Sequence, residues 1–384
     1  MTKSLLLGKS AGTRLVLVGL ALVWVLFQLL NPNFLSPRNL SNLLLQIAVL
    51  GTLAIGMVIV LVLGEIDLSV GAIAGVSAGL LALLITHGLP WWLAILAALV
   101  AGGLIGLVHG SIITAFGIPS FIVTLAGLLV WQGVQLQLVG DQGQIPIRDD
   151  VIRGIASTYV PTALGWVIAV VAVAAIFAVR MLRRGRRERS GLAVPPASAE
   201  LLSAGFAGLV VLAVCWVLNS YFGIPWVFVL VLTLLLVCSV AMEATSFGRH
   251  IYAIGGSREA ARRAGIAVRT RTITVFVVIS VIAALAGIIE ASRQFSASNS
   301  LGGGTLQLNA IAAAVIGGTS MFGGRGRIYQ ALLGALVVGS VQNGLDLLGQ
   351  PAAIKNIATG VILVTAVAVD AVGRRRRLAR GAAE

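Results

Sequence analysis

Polar residues are what this sequence has least of. Only 10% of its 384 residues are charged, with 13 Asp and Glu, three histidines and two cysteines. A soluble domain carries about a quarter charged residues to solvate its surface, so that class is excluded. His87, His109 and His250 are scattered, and Cys215 and Cys238 lie inside apolar runs. No cluster therefore has the spacing of a metal site, a disulfide frame or a nucleophile with its base. The "GKS" at 8–10 lacks the earlier glycine of a phosphate-binding loop, since Lys3 stands there, and no strand precedes it. Nothing in the chain calls for a cofactor.

What is present is apolar. Hydrophobic residues make up 58% of the chain, and the mean hydropathy is +1.03, values that require several membrane spans. In lipid only helices and closed barrels satisfy the backbone, and long unbroken runs select an all-α polytopic transmembrane bundle. Twelve runs qualify, at 15–30, 43–63, 68–86, 91–108, 121–138, 162–179, 201–218, 225–242, 273–289, 306–316, 328–345 and 353–369. That predicts about 12 spans, within 10 to 14. The run 306–316 is too short to cross and reads as a broken or re-entrant segment. The N-terminal stretch has the basic start and apolar run of a signal peptide, but no small-x-small cleavage site follows, so it reads as a first helix.

A net charge of +14 would suggest nucleic acid in a soluble chain. Topology removes that reading. With the N-terminus inside, 22 of the 27 Lys and Arg fall in segments on the cytoplasmic side, the side such loops favour. Arg38, Arg148, Arg153, Arg293 and Lys355 are the exceptions. An odd span count would scatter these clusters to both faces, so both termini are expected to be cytoplasmic. No nucleic acid partner is implied, and the bilayer is. The whole chain, 1–384, reads as one membrane domain with an external loop at 141–161, a basic cytoplasmic linker at 180–200, a cytoplasmic loop at 243–271 and a basic tail at 373–384. The linker reads as a stop-transfer cluster, with anionic headgroups as a second reading.

Glycine, 46 residues of it, is unevenly placed. Gly71, Gly75 and Gly79 recur every fourth residue in one span, and Gly102, Gly106 and Gly110 in the next. Each ladder falls on one helix face and predicts close backbone packing. Between two apolar runs stands "GEIDLSVG", residues 64–71. Asp67 occupies the position of an N-cap for the third span, with Ser69 two residues on, in a turn on the cytoplasmic side. That leaves Glu65 unexplained. A carboxylate at membrane depth costs about 2.5 to 3.5 kcal/mol, so it should face a cavity, water or a cation. No His or Cys accompanies the pair, which argues against an enzyme.

Three ordered stretches carry a family resemblance: "AIGMVIVLVLGEIDLSVGAIAG", "GRHIYAIGGSREAARRAGIAV" at 248–268, and "LQLNAIAAAVIGGTSMFGGRGRIYQALLGALVV". Together they resemble the inner-membrane permeases of the ribose/xylose/galactose class of sugar ATP-binding-cassette importers. Glu65, where many members have a second glycine, and the chain's length are similar to the xylose type. Shorter ribose-type members are expected to have one span between the external loop and the 243–271 loop, and here there are three. The added pair leaves downstream orientation unchanged.

The resemblance implies function. Ser257, Arg258, Glu259, Ala260, Ala261, Arg262 and Gly265 would form the short coupling helix that docks into a separate ATP-hydrolysing subunit. Its small residues would allow close docking, and Glu259 would cap or pair with the partner; the alternative is an ordinary basic loop. The translocation path or its signature would involve Glu65, Asp67, Ser69, Gly71, Gln307, Asn309, Gly317, Gly318, Thr319 and Asn343, with Asp346 beside them. For these polar residues interhelical hydrogen bonding stands as an equal reading. The external loops "GDQGQIPIRDD" and "EASRQFSASNSLGGG" would meet a periplasmic or lipoprotein sugar-binding protein. A permease homodimer would enclose the path of a monosaccharide, most simply a pentose such as xylose. The alternatives are an ion-driven secondary transporter or a permease for a branched-chain amino acid.

Overall fold

The computed structural model describes residues 3–191, 194, 196–303 and 305–381. Parts of the expected linker (192, 193 and 195), of the second external loop (304) and of the tail (382–384) lie outside the described residues.

Among the described residues eight helices are long and apolar enough to cross a membrane. These are α2 (Pro37–Leu63), α4 (Trp91–Phe116), α5 (Ser120–Val139), α7 (Thr162–Arg189), α8 (Ala197–Asn219), α9 (Trp226–Ala244), α12 (Val268–Gln294) and α14 (Ile328–Leu347). The other four expected runs are shorter apolar stretches: 16–30 within α1 (Lys3–Leu30), α3 (Val70–Thr86), α13 (Leu306–Ile316), and 352–365 within α15 (Ala352–Gly381). At about 1.5 Å per residue α13 spans about 16 Å, half of a hydrocarbon core of about 30 Å. The chain is a polytopic helical membrane protein, and α13 is too short to cross the bilayer by itself.

Three short helices lie between these: α6 (Asp150–Ser157), α10 (Ser246–Gly256) and α11 (Arg258–Arg263). The fold is not purely helical. Strands β1 (Gln144–Pro146) and β2 (Ser296–Ser298) pair antiparallel with Ile145 opposite Ala297, joining the two loops read as external. Three-residue strands carry no period long enough to be read from sequence.

Burial follows the sequence. α2 is apolar on all sides, and 89% of its most apolar window is buried, which makes it the axis of the bundle. Against it pack α12, α13, α14 and α9. The glycine ladder of α4 receives α12: a Cβ on Gly106 would overlap the Phe276 carbonyl, and one on Gly110 would meet Ile273 Cα. The α3 ladder faces elsewhere, towards Gln135 and Leu138 of α5 and the chain before α13. The two ladders thus make two separate seams.

The α7–α8 hairpin lies outside this bundle, with 11% of the α7 window buried. Its two ends are clipped together. Val160 N–H donates to the Ile224 carbonyl at 2.8 Å, and Trp226 N–H to the Thr158 carbonyl at 3.1 Å.

Candidate functional site

The turn between α2 and α3 is exposed at Gly64 and half-buried at Glu65, Ile66 and Leu68, whereas Asp67 and Ser69 are fully buried and turned into the bundle. α2 stops because Gly64 adopts a left-handed φ of 88°, which glycine enters at no steric cost. The backbone freed by the break is satisfied by hydroxyls of α5. Ile66 N–H donates to Ser120 Oγ and Leu68 N–H to Thr124 Oγ1, each at 3.1 Å. Serine and threonine are the residues that repair interrupted membrane helices, and the i, i+4 spacing of these two was the sequence signal for them.

Asp67 is not the N-cap of α3. Ser69 is, without a side-chain cap bond. Asp67 Oδ1 instead accepts from Ser69 N–H at 2.8 Å and from the Ser69 hydroxyl at 2.5 Å. A histidine does accompany this carboxylate, against the sequence reading. His109 Nδ1 lies 3.4 Å from Ser69 Oγ, and the Trp131 indole N–H donates to His109 Nε2 at 3.0 Å. The Nδ1–H tautomer satisfies both contacts and completes a chain from Trp131 through His109 and Ser69 to Asp67. This is no hydrolytic triad. The serine donates to the aspartate rather than to the histidine, so the imidazole does not take its proton. Linear distance hid His109, since 40 residues separate it from Ser69.

Glu65 finds its partner in the loop expected to couple. Arg258 Nη1 lies 2.8 Å from Glu65 Oε1, with the glutamate side chain 13% exposed. Arg258 opens α11, whose N-cap Ser257 accepts from Ala260 N–H at 3.2 Å. Glu259 pairs with Arg263 one turn on at 3.1 Å, so its first partner is in its own helix. Ala260 is exposed, whereas Ala261 is buried against the bundle and cannot offer a free docking face. Gly265 ends the helix at φ 80°. Arg258, Arg262 and Arg269 line a cavity of about 520 Å³ with Glu65 and the α4–α5 turn.

Beside this contact three glycine-rich segments meet. A Cβ on Gly255 would overlap the Val62 carbonyl, and Gly324 N–H donates to that carbonyl at 2.8 Å. A Cβ on Gly323 would meet Gly64 Cα at 3.0 Å. The Tyr252 hydroxyl donates to the Gly326 carbonyl at 2.6 Å. Burial, with Glu243 adding to it, pushes that phenol up, so it stays a donor. The end of α2, the α10–α11 junction and the 317–326 loop therefore close on one another with backbone at backbone distance.

The remaining residues divide. Gly317 and Gly318 pack against Gln330 of α14, and Thr319 is buried beside Gly326. A Cβ on Gly71 would overlap the Gly302 carbonyl and one on Gly302 the Gly71 carbonyl, with Gln307 alongside. The chain before α13 thus folds back onto the start of α3. Gln135, which sequence reasoning missed, anchors it by donating to the carbonyls of Ser298 and Leu301 at 2.9 and 2.7 Å. Asn343 exchanges bonds with Asn39 at 2.8 and 3.1 Å, which places it with the interhelical ties. Asn309 instead lines a cavity with Asp346 and with Gln46, Glu290, Arg293 and Gln342, none of which stood out in the sequence as a site residue.

A family model described as "Branched-chain amino acid transport system / permease component" matches residues 39–367. The chain is 39% identical over 345 residues to the xylose transport system permease protein of Escherichia coli (strain K12), covering 89% of this chain and 87% of that one. It is 35% identical over 365 residues to the protein of the same name in Haemophilus influenzae, covering 94% and 96%. It is also 35% identical over 353 residues to the ribose import permease protein of Bacillus subtilis (strain 168), covering 92% and 91%. No solved structure matches the chain at a significant level. Since the match runs from the start of α2 into α15, through both helix breaks and the α10–α11 segment, the chain belongs to the family of permease components of branched-chain amino acid transport system type.

Proposed function

We propose that this chain is the multi-pass inner-membrane permease subunit of an ATP-binding-cassette importer for a monosaccharide, a pentose such as xylose. The relatives, xylose and ribose permeases by name, support the cargo class. They also disfavour an ion-driven carrier. ATP hydrolysis belongs to a separate subunit, delivery of the sugar to a binding protein, and the path to a pair of permease copies. The single membrane domain crosses twelve times with both termini cytoplasmic, a topology supported by the arginine distribution. In that topology the β1–β2 loops face the binding protein.

One observation carries the coupling role of residues 257–265. The Glu65–Arg258 bond and the glycine junction tie α11 to the interrupted α2–α3 pair and to the loop after α13. A push on α11 from a closing ATPase then acts on both broken helices at once. Rigid contact without side-chain slack is what such transmission needs.

The test is capture. The purified chain should retain an ATPase subunit, and the complex should hydrolyse ATP several-fold faster when xylose-loaded binding protein is added. Failure to capture, together with uptake driven by an ion gradient alone, would transfer the assignment to a secondary transporter.

A further inference from the structure

We propose that the half-open cavity lined by α2, α12, α13 and α14 is a binding station for the cargo on the permease, built for a neutral polyhydroxylated molecule of monosaccharide size; the assignment rests on the importer reading above. The cavity measures about 310 Å³, at the lower end of the roughly 300 to 1,000 Å³ of small-molecule sites. Six polar side chains from four helices line it: Gln46, Glu290, Arg293, Asn309, Gln342 and Asp346. Charged groups on membrane-crossing helices face water, cavities or each other rather than lipid, and mark solute pathways.

The charges decide the ligand class. Arg293 clamps Glu290 with two bonds, at 2.9 and 2.7 Å. Lys355 holds Asp346 at 2.5 Å. Each charge in the wall is already matched, so a zwitterion such as an amino acid meets no unpaired counter-charge. What the wall offers a ligand is hydrogen bonding of both signs, from three carboxamides and from the spare lone pairs of paired carboxylates. A sugar hydroxyl donates and accepts, and uses both. Among the described residues the Asn309 side-chain oxygen is buried with no partner, an acceptor that a hydroxyl donor on the ligand would satisfy. Behind the wall Asn343 reaches Gln46 Oε1 at 3.5 Å and so orients the Gln46 amide. Leu50 supplies an apolar patch for the C–H face of a ring.

The experiment uses the complete transporter in vesicles, with xylose as the probe. Gln342→Leu keeps the volume and removes the amide; Gln342→Asn keeps the amide and removes volume. A ligand role predicts that xylose moved per ATP falls about tenfold in Gln342→Leu, the loss of one or two hydrogen bonds, and is largely kept in Gln342→Asn. A packing role predicts the reverse order, and that order, or no change in either variant, overturns the site. Labelling gives a second measurement in membranes. Cys215 and Cys238 are buried, so a water-soluble maleimide should report on the Gln342→Cys thiol. Xylose at about 10 mM should slow that labelling several-fold and leucine should not; equal rates overturn the proposal, as does cross-linking of this thiol between two copies at a rate that xylose leaves unchanged, which would make the cavity a packed subunit contact. If the unaltered complex moves no xylose with ATP, the importer reading itself falls; if it does and the variants match it, only the site falls.

Discussion

At the level of single residues, the two carboxylates of "GEIDLSVG" serve different ends. Asp67 is turned inward on Ser69, and Glu65 reaches out to Arg258. Arg258 is half exposed, so the pair itself contributes at most about 1 kcal/mol to stability. Its value is positional. Arg258→Glu is expected to cut ATP-driven uptake about tenfold while shifting the melting temperature of the solubilised complex by no more than a few degrees. Glu65→Arg combined with Arg258→Glu should restore most of the uptake, as a double-mutant cycle would record. Equal uptake in the single and double variants would dissociate the pair from coupling. Asp67 was visible in the sequence as a helix-start residue, but its depth was not. The reason is that Ser120 and Thr124 of one distant helix bond the backbone on either side of it, and His109 of another, held by Trp131, meets its partner Ser69; separations of 40 residues and more leave no local trace.

At the level of elements, glycine spacing announced close packing correctly and could not name the neighbour. A four-residue repeat defines a face. Which helix fills that face depends on how the bundle closes, and α4 turns to α12 while α3 turns to α5 and the chain before α13. The junction of Gly64, Gly255 and Gly323 is the more exacting contact, because backbone meets backbone there. Gly255→Val would drive a branched side chain into the Val62 carbonyl, an overlap costing about 1 to 3 kcal/mol or more. The expected result is a permease that still inserts but fails to hydrolyse ATP in step with sugar-loaded binding protein. The same substitution at Gly256, where nothing lies within 4 Å of the added carbon, should leave the stimulated ATPase rate within about twofold. Equal loss at both positions would mean that helix disruption, not the junction, is being read.

At the level of the whole molecule, the α7–α8 hairpin is an excursion from a bundle that closes without it. Its ends meet through the 158–160 and 224–226 backbone bonds, and in the proposed topology its two crossings would return the chain to the side it left. Deleting 161–223 and bridging the gap with two or three glycines is therefore expected to keep the α10–α11 loop cytoplasmic. Labelling of a cysteine placed at Arg263 from either side of the membrane checks this. Access from the opposite face would refute the even-crossing topology.

Apolar run length, a local and additive quantity, was enough to determine a helical membrane chain, twelve apolar segments and the shortness of 306–316. The quoted motifs sufficed for the family, which the match over 39–367 supports. Tertiary structure alone decided that α2 is the buried axis, that the three motifs share one junction, that His109 belongs with Asp67, and that Gln46, Glu290 and Gln342 share a cavity with Asn309. Those facts depend on which faces of distant helices meet. In a bilayer that choice rests on close packing and hydrogen bonding rather than on hydrophobic pattern, so a chain apolar on nearly every side leaves it unwritten.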